Sequence, residues 1–303
     1  MQRAVITGAT GAVGNALIAC LKNAGVDINI VVRKGSPRNS GIPSDKNIKV
    51  IECGLENIKT IKDSVGKCDV FFHLGWTDTD KDGRNSAEKQ RKNINYTLDA
   101  VEAAASVGCT VFVGAGSQAE YGKYNVPIRE DFELKPETEY GGAKAEACVK
   151  SRELCLKTGI RHVWTRIFSV YGPHDSNSTM IMYLIKSLLN GEKPALSACT
   201  QDWDYLYSED CAGALVLLAE KGSNGEAYNI GGGECRKLIE YVKILREVIN
   251  PKAQLGIGEV KPPPGGLMNL CADITKLKKD TGFIPRVKFE DGIKETIKWV
   301  KGV

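Results

Sequence analysis

The sequence has little histidine and lacks the cysteine spacing that metal sites need. Among 303 residues only His73, His162 and His174 are histidines, and their spacing is not that of metal ligands. The ten cysteines include no C-x-x-C pair, and most stand in apolar contexts such as Ala19-Cys20-Leu21. Such contexts are typical of buried thiols, and reduced thiols are typical of the cytoplasm. We therefore expect no metal, reduced cysteines and a cytoplasmic protein.

Long apolar runs and a strong excess of one charge are also missing. No run approaches the roughly 20 residues that cross a bilayer as a helix, so we expect no membrane span. A strand is predicted almost at the first residue, so we expect no signal peptide. The 41 Lys and Arg residues stand against 37 Asp and Glu, a net charge of +4, and the basic residues are scattered. This distribution disfavours nucleic acid as a partner.

What the chain does have, at its start, is a strand that runs directly into a glycine-rich turn. Arg3–Thr7 is predicted as a buried strand, Gly8-x-x-Gly11-x-x-Gly14 follows, and Ala12–Asn23 has a helical apolar pattern. A turn of this kind at a helix N-terminus offers free amides and the helix dipole to a pyrophosphate. The glycines let the backbone turn tightly and approach the phosphate. The glycine spacing differs from the G-x-G-x-x-G fingerprint of dinucleotide-binding proteins, but the strand, turn and helix can bind a pyrophosphate in the same way.

Short β-rich runs alternate with helical segments through the first half of the chain. Strands are predicted at Ile28–Arg33, Ile48–Cys53, Asp69–Leu74, Thr110–Gly114 and His162–Phe168, and helices near Asn57–Val65, Ala87–Val107 and Thr138–Lys157. Later segments are a helix at Met180–Leu189, a strand at Ala227–Ile230, a helix at Leu238–Val248 and a surface loop at Pro262–Gly266. The alternation predicts an α/β fold with a parallel sheet covered on both faces.

We therefore predict a Rossmann-type doubly wound sheet with a smaller C-terminal α/β substrate lobe. Residues 1–170 form the dinucleotide-binding domain, with strand contributions from about 200–232, and residues 171–303 form mainly the lobe. Ligand should bind in the crevice at the carboxyl ends of the strands.

Tyr140, Lys144 and Ser117 form a candidate proton-transfer site. On a helix, Tyr140 and Lys144 lie one turn apart on the same face. An ammonium beside a phenol favours the phenolate and lowers its pKa from an ordinary value of about 10. The Ser117 hydroxyl is suited to hold the oxygen that exchanges the proton. Ser117 is not in G-x-S-x-G, because Ala115 and Ala119 flank it, so a hydrolase nucleophile is disfavoured.

An ordered set of motifs resembles the extended short-chain dehydrogenase/reductase family, in particular its nucleotide-sugar epimerases, dehydratases and 4-keto reductases. The matching pieces are Gly8-x-x-Gly11-x-x-Gly14, His73-Leu74-Gly75, Asn93-x-Asn95-x-Thr97, Ser117 four residues before Tyr121-Gly122, Tyr140-x-x-x-Lys144, Arg166-Ile-Phe-Ser-Val-Tyr171-Gly172-Pro173, Asp202-Trp203-Asp204-Tyr205 and Tyr228-Asn229-Ile230-Gly231. The resemblance covers essentially the whole chain. His73 alone is more simply explained as a core histidine.

The resemblance implies a role for individual residues. Tyr140 would be the general acid or base, Lys144 would lower its pKa and bind the nicotinamide ribose, and Ser117 would hold the reacting oxygen. Cofactor-binding residues would be Gly8, Thr10, Gly11, Ala12, Val13, Gly14, Arg33, Lys34, Leu74, Gly75, Trp76, Asn93, Tyr140, Lys144 and Ile167. Substrate-binding residues would be Ser117, Gln118, Ser169, Met180, Trp203 and Tyr205, and Arg166 and Asp204 also fall in the nucleotide-sugar region. Family members commonly have Asn at the position of Ser169 and a basic residue at that of Gln201, which puts the usual diphosphate contacts in doubt.

The residues after the second strand bear on the cofactor. The strand ends in Arg33-Lys34, with Arg38 nearby, where an acidic residue would bind the ribose of NAD. Because a guanidinium can bind a 2′-phosphate bidentately, we predict that NADP is preferred and NAD is possible.

The reaction is predicted by elimination within the family. Dehydratases carry an Asp-Glu pair where this chain has Gln118-Ala119, so dehydration is disfavoured. We predict NADPH-dependent reduction of a nucleotide-activated 4-keto-6-deoxy sugar. The alternatives are an NAD-dependent nucleotide-sugar 4-epimerase and a non-enzymatic NADP-binding sensor. The helices around Asn93–Val107 and Tyr140–Lys157 are expected to pair in a homodimer.

Overall fold

In the computed structural model, which describes residues 1–261 and 268–302, strands and helices alternate through the first half of the chain. They are β1 (Arg3–Thr7), α1 (Ala12–Asn23), β2 (Asp27–Val32), β3 (Ile48–Glu52), β4 (Val70–His73), α2 (Ala87–Ser106), β5 (Val111–Ser117), α3 (Glu139–Thr158) and β6 (Arg161–Ile167). The second half contains β7 (Ser169–Tyr171), α4 (Met180–Leu189), β8 (Ala195–Leu196), β9 (Asp202–Trp203), β10 (Tyr205–Tyr207), α5 (Ser208–Lys221), β11 (Glu226–Ile230), β12 (Arg236–Lys237), α6 (Leu238–Ile249), β13 (Gly256–Ile257), α7 (Thr275–Thr281) and α8 (Phe289–Lys301). The surface loop predicted at Pro262–Gly266 lies outside the described residues.

Seven parallel strands form the central sheet in the order β11-β6-β5-β4-β1-β2-β3. Alternate residues of each strand enter different cores: Ile6 packs with α1 and α5, whereas Val5 packs with α2. Helices therefore cover both faces, and the predicted doubly wound Rossmann-type fold is confirmed. β1 has β2 on one side and β4 on the other, so the strand order reverses there and opens a crevice at the carboxyl ends.

A separate aromatic core lies under the C-terminal segments. Phe289 of α8 packs against Tyr171, Tyr205 and Tyr241, with ring centroids 4.7–5.7 Å apart. The chain leaves the sheet after β6 and returns as β11, which pairs with β6 along its whole length. The division of the chain at residue 170 stays a prediction.

Two expectations from the sequence are corrected. The segment predicted as a helix near Asn57–Val65 is a 3-10 helix, Leu55–Asp63. Its buried residues, Ile58 and Ile61, are three apart, which is the period of a 3-10 turn. The cysteines are not all reduced, because Cys235 and Cys271 form a disulfide with their Cα atoms 5.6 Å apart. The two cysteines are 36 residues apart in sequence, so no C-x-x-C motif predicts their pairing.

Two further findings concern membrane-spanning helices and metal sites. Across residues 1–261 and 268–302, no helix is both long and apolar enough to cross a membrane. Within the same residues, no cluster of three or more His, Cys, Asp or Glu side chains is arranged to hold a metal ion. The cytoplasmic location stays a prediction.

Candidate active site

The glycine turn packs so closely against the end of β4 that side chains would not fit there. Gly8 has a φ of +71°, and a Cβ on it would lie 2.5 Å from the Leu74 carbonyl carbon. A Cβ on Gly14 would collide with the backbone of Gly8 and Ala9, whereas Gly11 faces open space. Gly75 is held by a hydrogen bond from its N–H to the Thr7 hydroxyl, at 3.1 Å. Two glycines thus serve the turn itself, and Gly11 leaves room above it.

A cavity of about 530 Å³ opens above this turn, at the carboxyl ends of β1, β2 and β4. Seven predicted cofactor residues line it: Gly8, Thr10, Gly11, Arg33, Leu74, Gly75 and Trp76. The other predicted cofactor residues do not line it: Ala12, Val13, Gly14, Lys34, Asn93, Tyr140, Lys144 and Ile167. Its volume and its position above a glycine turn at a helix N-terminus fit a dinucleotide.

Some of those other residues support the segments that line the cavity. The Asn93 side chain accepts a hydrogen bond from the Thr77 N–H at 2.9 Å and donates to the Thr77 carbonyl at 3.1 Å. It therefore fixes the loop after β4. Val13 and Ile167 pack against the sheet core, and Lys34 lines an adjoining hollow beside Arg33.

Two arginines, Arg33 and Arg38, and two aspartates, Asp78 and Asp80, line the cavity. Neither arginine forms an ion pair with any residue that the structure describes. Asn39 donates to the Arg33 carbonyl at 2.9 Å and so holds the turn that presents them. Sequence reasoning missed several polar lining residues, among them Ser36, Asn39, Thr77 and Ser176, because they lie in loops without a motif.

Ser117 ends β5, and Tyr140 and Lys144 occupy the first turns of α3. The helix start is fixed by Thr138, whose hydroxyl accepts from the Gly141 N–H at 3.1 Å. Lys144 Nζ donates to the Ala115 carbonyl at 2.5 Å, which ties α3 to β5 next to Ser117. The three predicted catalytic residues thus stand on two elements that are joined at the site.

The ionisation of these groups differs from the simple expectation. Burial raises the pKa of Tyr140, and the nearby Ser117 hydroxyl and the charge of Arg84 only partly oppose this. Lys144 Nζ lies 5.8 Å from the Tyr140 ring centroid and 3.7 Å from that of Trp76. Burial lowers the pKa of Lys144 to about 7, against the opposing charge of Glu120. In this structure desolvation therefore dominates the pKa of Tyr140, and the charge that opposes it is that of Arg84 and not the expected charge of Lys144.

A buried ion pair lies beneath Ser117. Glu120 is fully buried and accepts from the Ser117 N–H at 2.8 Å, from Trp164 Nε1 at 3.0 Å and from Arg166 Nε at 2.8 Å. Arg166 also donates to the Tyr121 hydroxyl at 2.8 Å. Arg166 was expected near the nucleotide-sugar, but its guanidinium is used inside the protein. Arg166 is held there by Glu120. In the sequence, Glu120 stands one residue after the two positions where dehydratases carry their Asp-Glu pair.

The Asp204 side chain also makes its hydrogen bonds within the protein. Its carboxylate accepts from the N–H groups of Gly232, Gly233 and Ala272 at 2.8–3.2 Å, and burial raises its pKa to about 6. It was expected among the nucleotide-sugar contacts, and instead it joins three backbone segments.

The other predicted substrate residues fall into two groups. Tyr205 packs into the aromatic core, and Met180 packs against the same core from the first turn of α4. Gln118 and Ser169 are half-buried, and Trp203 in β9 is half-buried too. Trp203 Nε1 and Gln201 Oε1 are buried atoms with no hydrogen-bond partner in the described part of the chain. Which of these residues touch a substrate stays a prediction.

His73 is a core residue, as the simpler interpretation held. Its ring lies between the hydroxyls of Thr7 and Thr97, at 3.0 and 3.4 Å, and burial lowers its pKa to about 3. A neutral, hydrogen-bonded imidazole joins β4 to β1 and α2.

Known proteins resemble this chain over most of its length. A family model described as "NAD dependent epimerase/dehydratase family" matches residues 4–231. The chain is 34% identical over 182 residues to dTDP-glucose 4,6-dehydratase of Escherichia coli, a match that covers 56% of this chain and 50% of that protein. The match thus spans only about half the length of that relative.

Two solved structures cover 99% of this chain. UDP-N-acetylglucosamine 4-epimerase of Methanobrevibacter ruminantium M1, in complex with UDP-N-acetylmuramic acid, is 24% identical with a TM-score of 0.89, over 98% of that chain. UDP-glucuronic acid 4-epimerase of Bacillus cereus, in complex with UDP-glucuronic acid and NAD, is 23% identical with a TM-score of 0.84, over 99% of that chain. These relatives are named for epimerisation and dehydration, which fits the epimerase alternative better than reduction of a 4-keto sugar. With a glycine-turn cavity, a Ser–Tyr–Lys set and a family model that matches most of its length, the chain belongs to the NAD-dependent epimerase/dehydratase family of extended short-chain dehydrogenase/reductase enzymes.

Proposed function

We propose that the protein is a nucleotide-sugar 4-epimerase that uses a nicotinamide dinucleotide. One observation carries the proposal: Trp76 joins the cavity to the proton-transfer residues. Its ring lines the cavity, lies 3.7 Å from Lys144 Nζ and makes an edge contact with the Tyr140 ring at 6.0 Å. A dinucleotide in the cavity would therefore end beside Tyr140.

The residues of this chain supply the proton chemistry. When bound, the dinucleotide supplies hydride exchange with the sugar carbon. Tyr140 takes the proton from the sugar hydroxyl and returns it, while Ser117 holds that oxygen. Lys144 binds the ribose next to Tyr140. The carboxylates that relatives need to eliminate water are replaced by Gln118 and Ala119, which supports epimerisation over dehydration.

A second candidate function is NADPH-dependent reduction of a nucleotide-linked 4-keto-6-deoxy sugar. It is favoured by one observation: Arg33 and Arg38 line the cavity without an ion pair to any described residue, and their guanidinium groups suit the 2′-phosphate of NADP. A net reductase draws electrons from outside, and NADPH supplies them.

Mass spectrometry of the copurified cofactor, followed by turnover assays, separates the two. An epimerase should carry NAD and interconvert a UDP-hexose and its C4 epimer without added reductant. A reductase should instead oxidise added NADPH only when a 4-keto sugar nucleotide is present. Tyr140→Phe is the matched control, because it keeps the ring and removes the hydroxyl, and turnover should fall about 10²- to 10⁴-fold. If Tyr140→Phe turned over its substrate like the wild type, the proton-transfer assignment would be wrong in both cases.

A further inference from the structure

Arg84 is a charged residue that stands directly against the proposed general acid or base. It lies in the 3-10 helix Gly83–Asn85, between β4 and α2, and its guanidinium carbon is 4.3 Å from the Tyr140 ring centroid. Gln90 fixes this helix by donating to the Gly83 carbonyl at 2.9 Å and to the Asp78 carbonyl at 3.0 Å. The guanidinium is therefore placed by a braced loop and does not belong to a free surface arm.

Two carboxylates near Arg84 along the chain are used elsewhere, and Asp82, two residues away, forms no ion pair with Arg84 in the described part of the chain. Asp78 pairs with Lys89 at 3.2 Å and accepts from the Thr77 hydroxyl at 2.9 Å. Asp80 accepts from the N–H groups of Asp82 and Gly83, at 3.1 and 2.9 Å. Within residues 1–261 and 268–302, the guanidinium of Arg84 has neither an ion pair nor a hydrogen bond.

A half-buried guanidinium without a counterion is costly, because burial removes part of its hydration. Stacking on Tyr140 satisfies the face of the guanidinium but none of its in-plane N–H donors. The donors can therefore bind an anion that arrives with the substrate. The other cation at the site, Lys144, is buried and already bonded to the Ala115 carbonyl.

We infer that Arg84 determines specificity by binding a carboxylate on the reacting sugar. The preferred substrates are then nucleotide-linked uronic acids, or sugars that carry an acidic ether beside carbon 4. The inference rests on the proposed function, because Tyr140 must face the sugar for Arg84 to reach it. A 6-deoxy sugar has no carboxylate at carbon 6, so the inference also weighs against the reductase.

Isothermal titration calorimetry of the purified protein tests the inference by binding alone. The uronic-acid arm compares UDP-glucuronic acid with UDP-glucose, and the ether arm compares UDP-N-acetylmuramic acid with UDP-N-acetylglucosamine. In at least one arm, the wild type should bind the acidic sugar about tenfold or more tightly than its neutral counterpart. The arm that discriminates identifies the position of the carboxylate.

Arg84→Gln should abolish the discrimination while binding the neutral sugar as the wild type does, which also shows that the variant is folded. Arg84→Lys should keep part of it, because the charge stays and the bidentate fork is lost. Arg91→Gln, on the exposed side of α2, is the matched control and should bind like the wild type. Equal affinity for acidic and neutral sugars in the wild type, or an unchanged ratio in Arg84→Gln, would overturn the inference and leave the proposed function standing. If no nucleotide-sugar binds at all, the proposed function fails and the inference falls with it.

Discussion

Burial makes the charge of Lys144 depend on pH near neutrality. Its pKa is lowered to about 7 because the ammonium is buried, whereas in the unfolded chain it stays near the ordinary value for lysine. Between pH 7 and about 10.5 the unfolded chain therefore binds a proton that the folded protein does not. Folding stability should rise with pH across that window and lose this dependence below pH 7.

Lys144→Met removes this ionisation and tests it. We expect the variant to be more stable than the wild type at pH 7, by at most a few kcal/mol, and the difference to shrink toward pH 10. Urea unfolding at several pH values measures both curves. A difference that stays constant from pH 7 to 10 would show that burial does not perturb Lys144.

Arg33 offers a test of cofactor choice at the level of one side chain. Arg33→Asp should reduce the affinity for NADP about tenfold or more, since a carboxylate repels the 2′-phosphate, and should improve the affinity for NAD. Fluorescence titration with both dinucleotides gives the ratio. Lys34→Asp, one residue further from the cavity, is the control and should change the ratio less. An unchanged ratio in Arg33→Asp would show that Arg33 does not contact the cofactor.

Single residues also show where the sequence could predict the site and where it could not. Gly8 was predictable because turn, helix start and strand follow one another within fifteen residues. Arg84 was not, because it reaches Tyr140 from a loop whose shape depends on Gln90 and Asp80. The ion pair of Arg166 was not predictable either, because its partner Glu120 lies 46 residues away in sequence.

Among the elements, the junction of β5 and β6 depends on the Glu120–Arg166 pair. Glu120→Ala should destabilise the protein by about 3–5 kcal/mol, since it leaves a buried guanidinium unpaired. Urea unfolding measures this loss. Glu102→Ala is the matched control, because its ion pair with Lys59 is solvent-exposed and should contribute less than about 1 kcal/mol. Similar losses for the two variants would show that the buried pair does not hold this junction.

Helices and strands with a clear local sequence pattern were predicted well, whereas those without one were not. α1 was predicted with its observed bounds, Ala12–Asn23, because the apolar period begins at the glycine turn. α5 was not predicted, although it packs against α1 on the sheet. Its first residue follows β10 directly, so no loop composition separates the two elements.

For the whole molecule, the outer surface of α3 is the proposed homodimer contact. Val149 and Leu156 are 44% and 75% exposed and lie two helical turns apart on one face. Leu156→Glu should weaken the dimer about tenfold or more, because each copy would place a charge in the interface. Light scattering after size exclusion reports the mass across a dilution series. Ile284→Glu, which alters an exposed apolar residue away from α3, should leave the mass unchanged. A wild-type protein that is monomeric throughout would contradict the proposal.

The late return of the chain to the sheet as β11 has a consequence for biosynthesis. When a ribosome has released the first 170 residues, six of the seven strands exist, but β6 has no neighbour on its outer side. Its free edge stays open to other chains until residues 226–230 emerge and pair with it. Because domains fold as they leave the ribosome, the exposed edge of β6 is most open to aggregation in this interval, when a chaperone would protect it best.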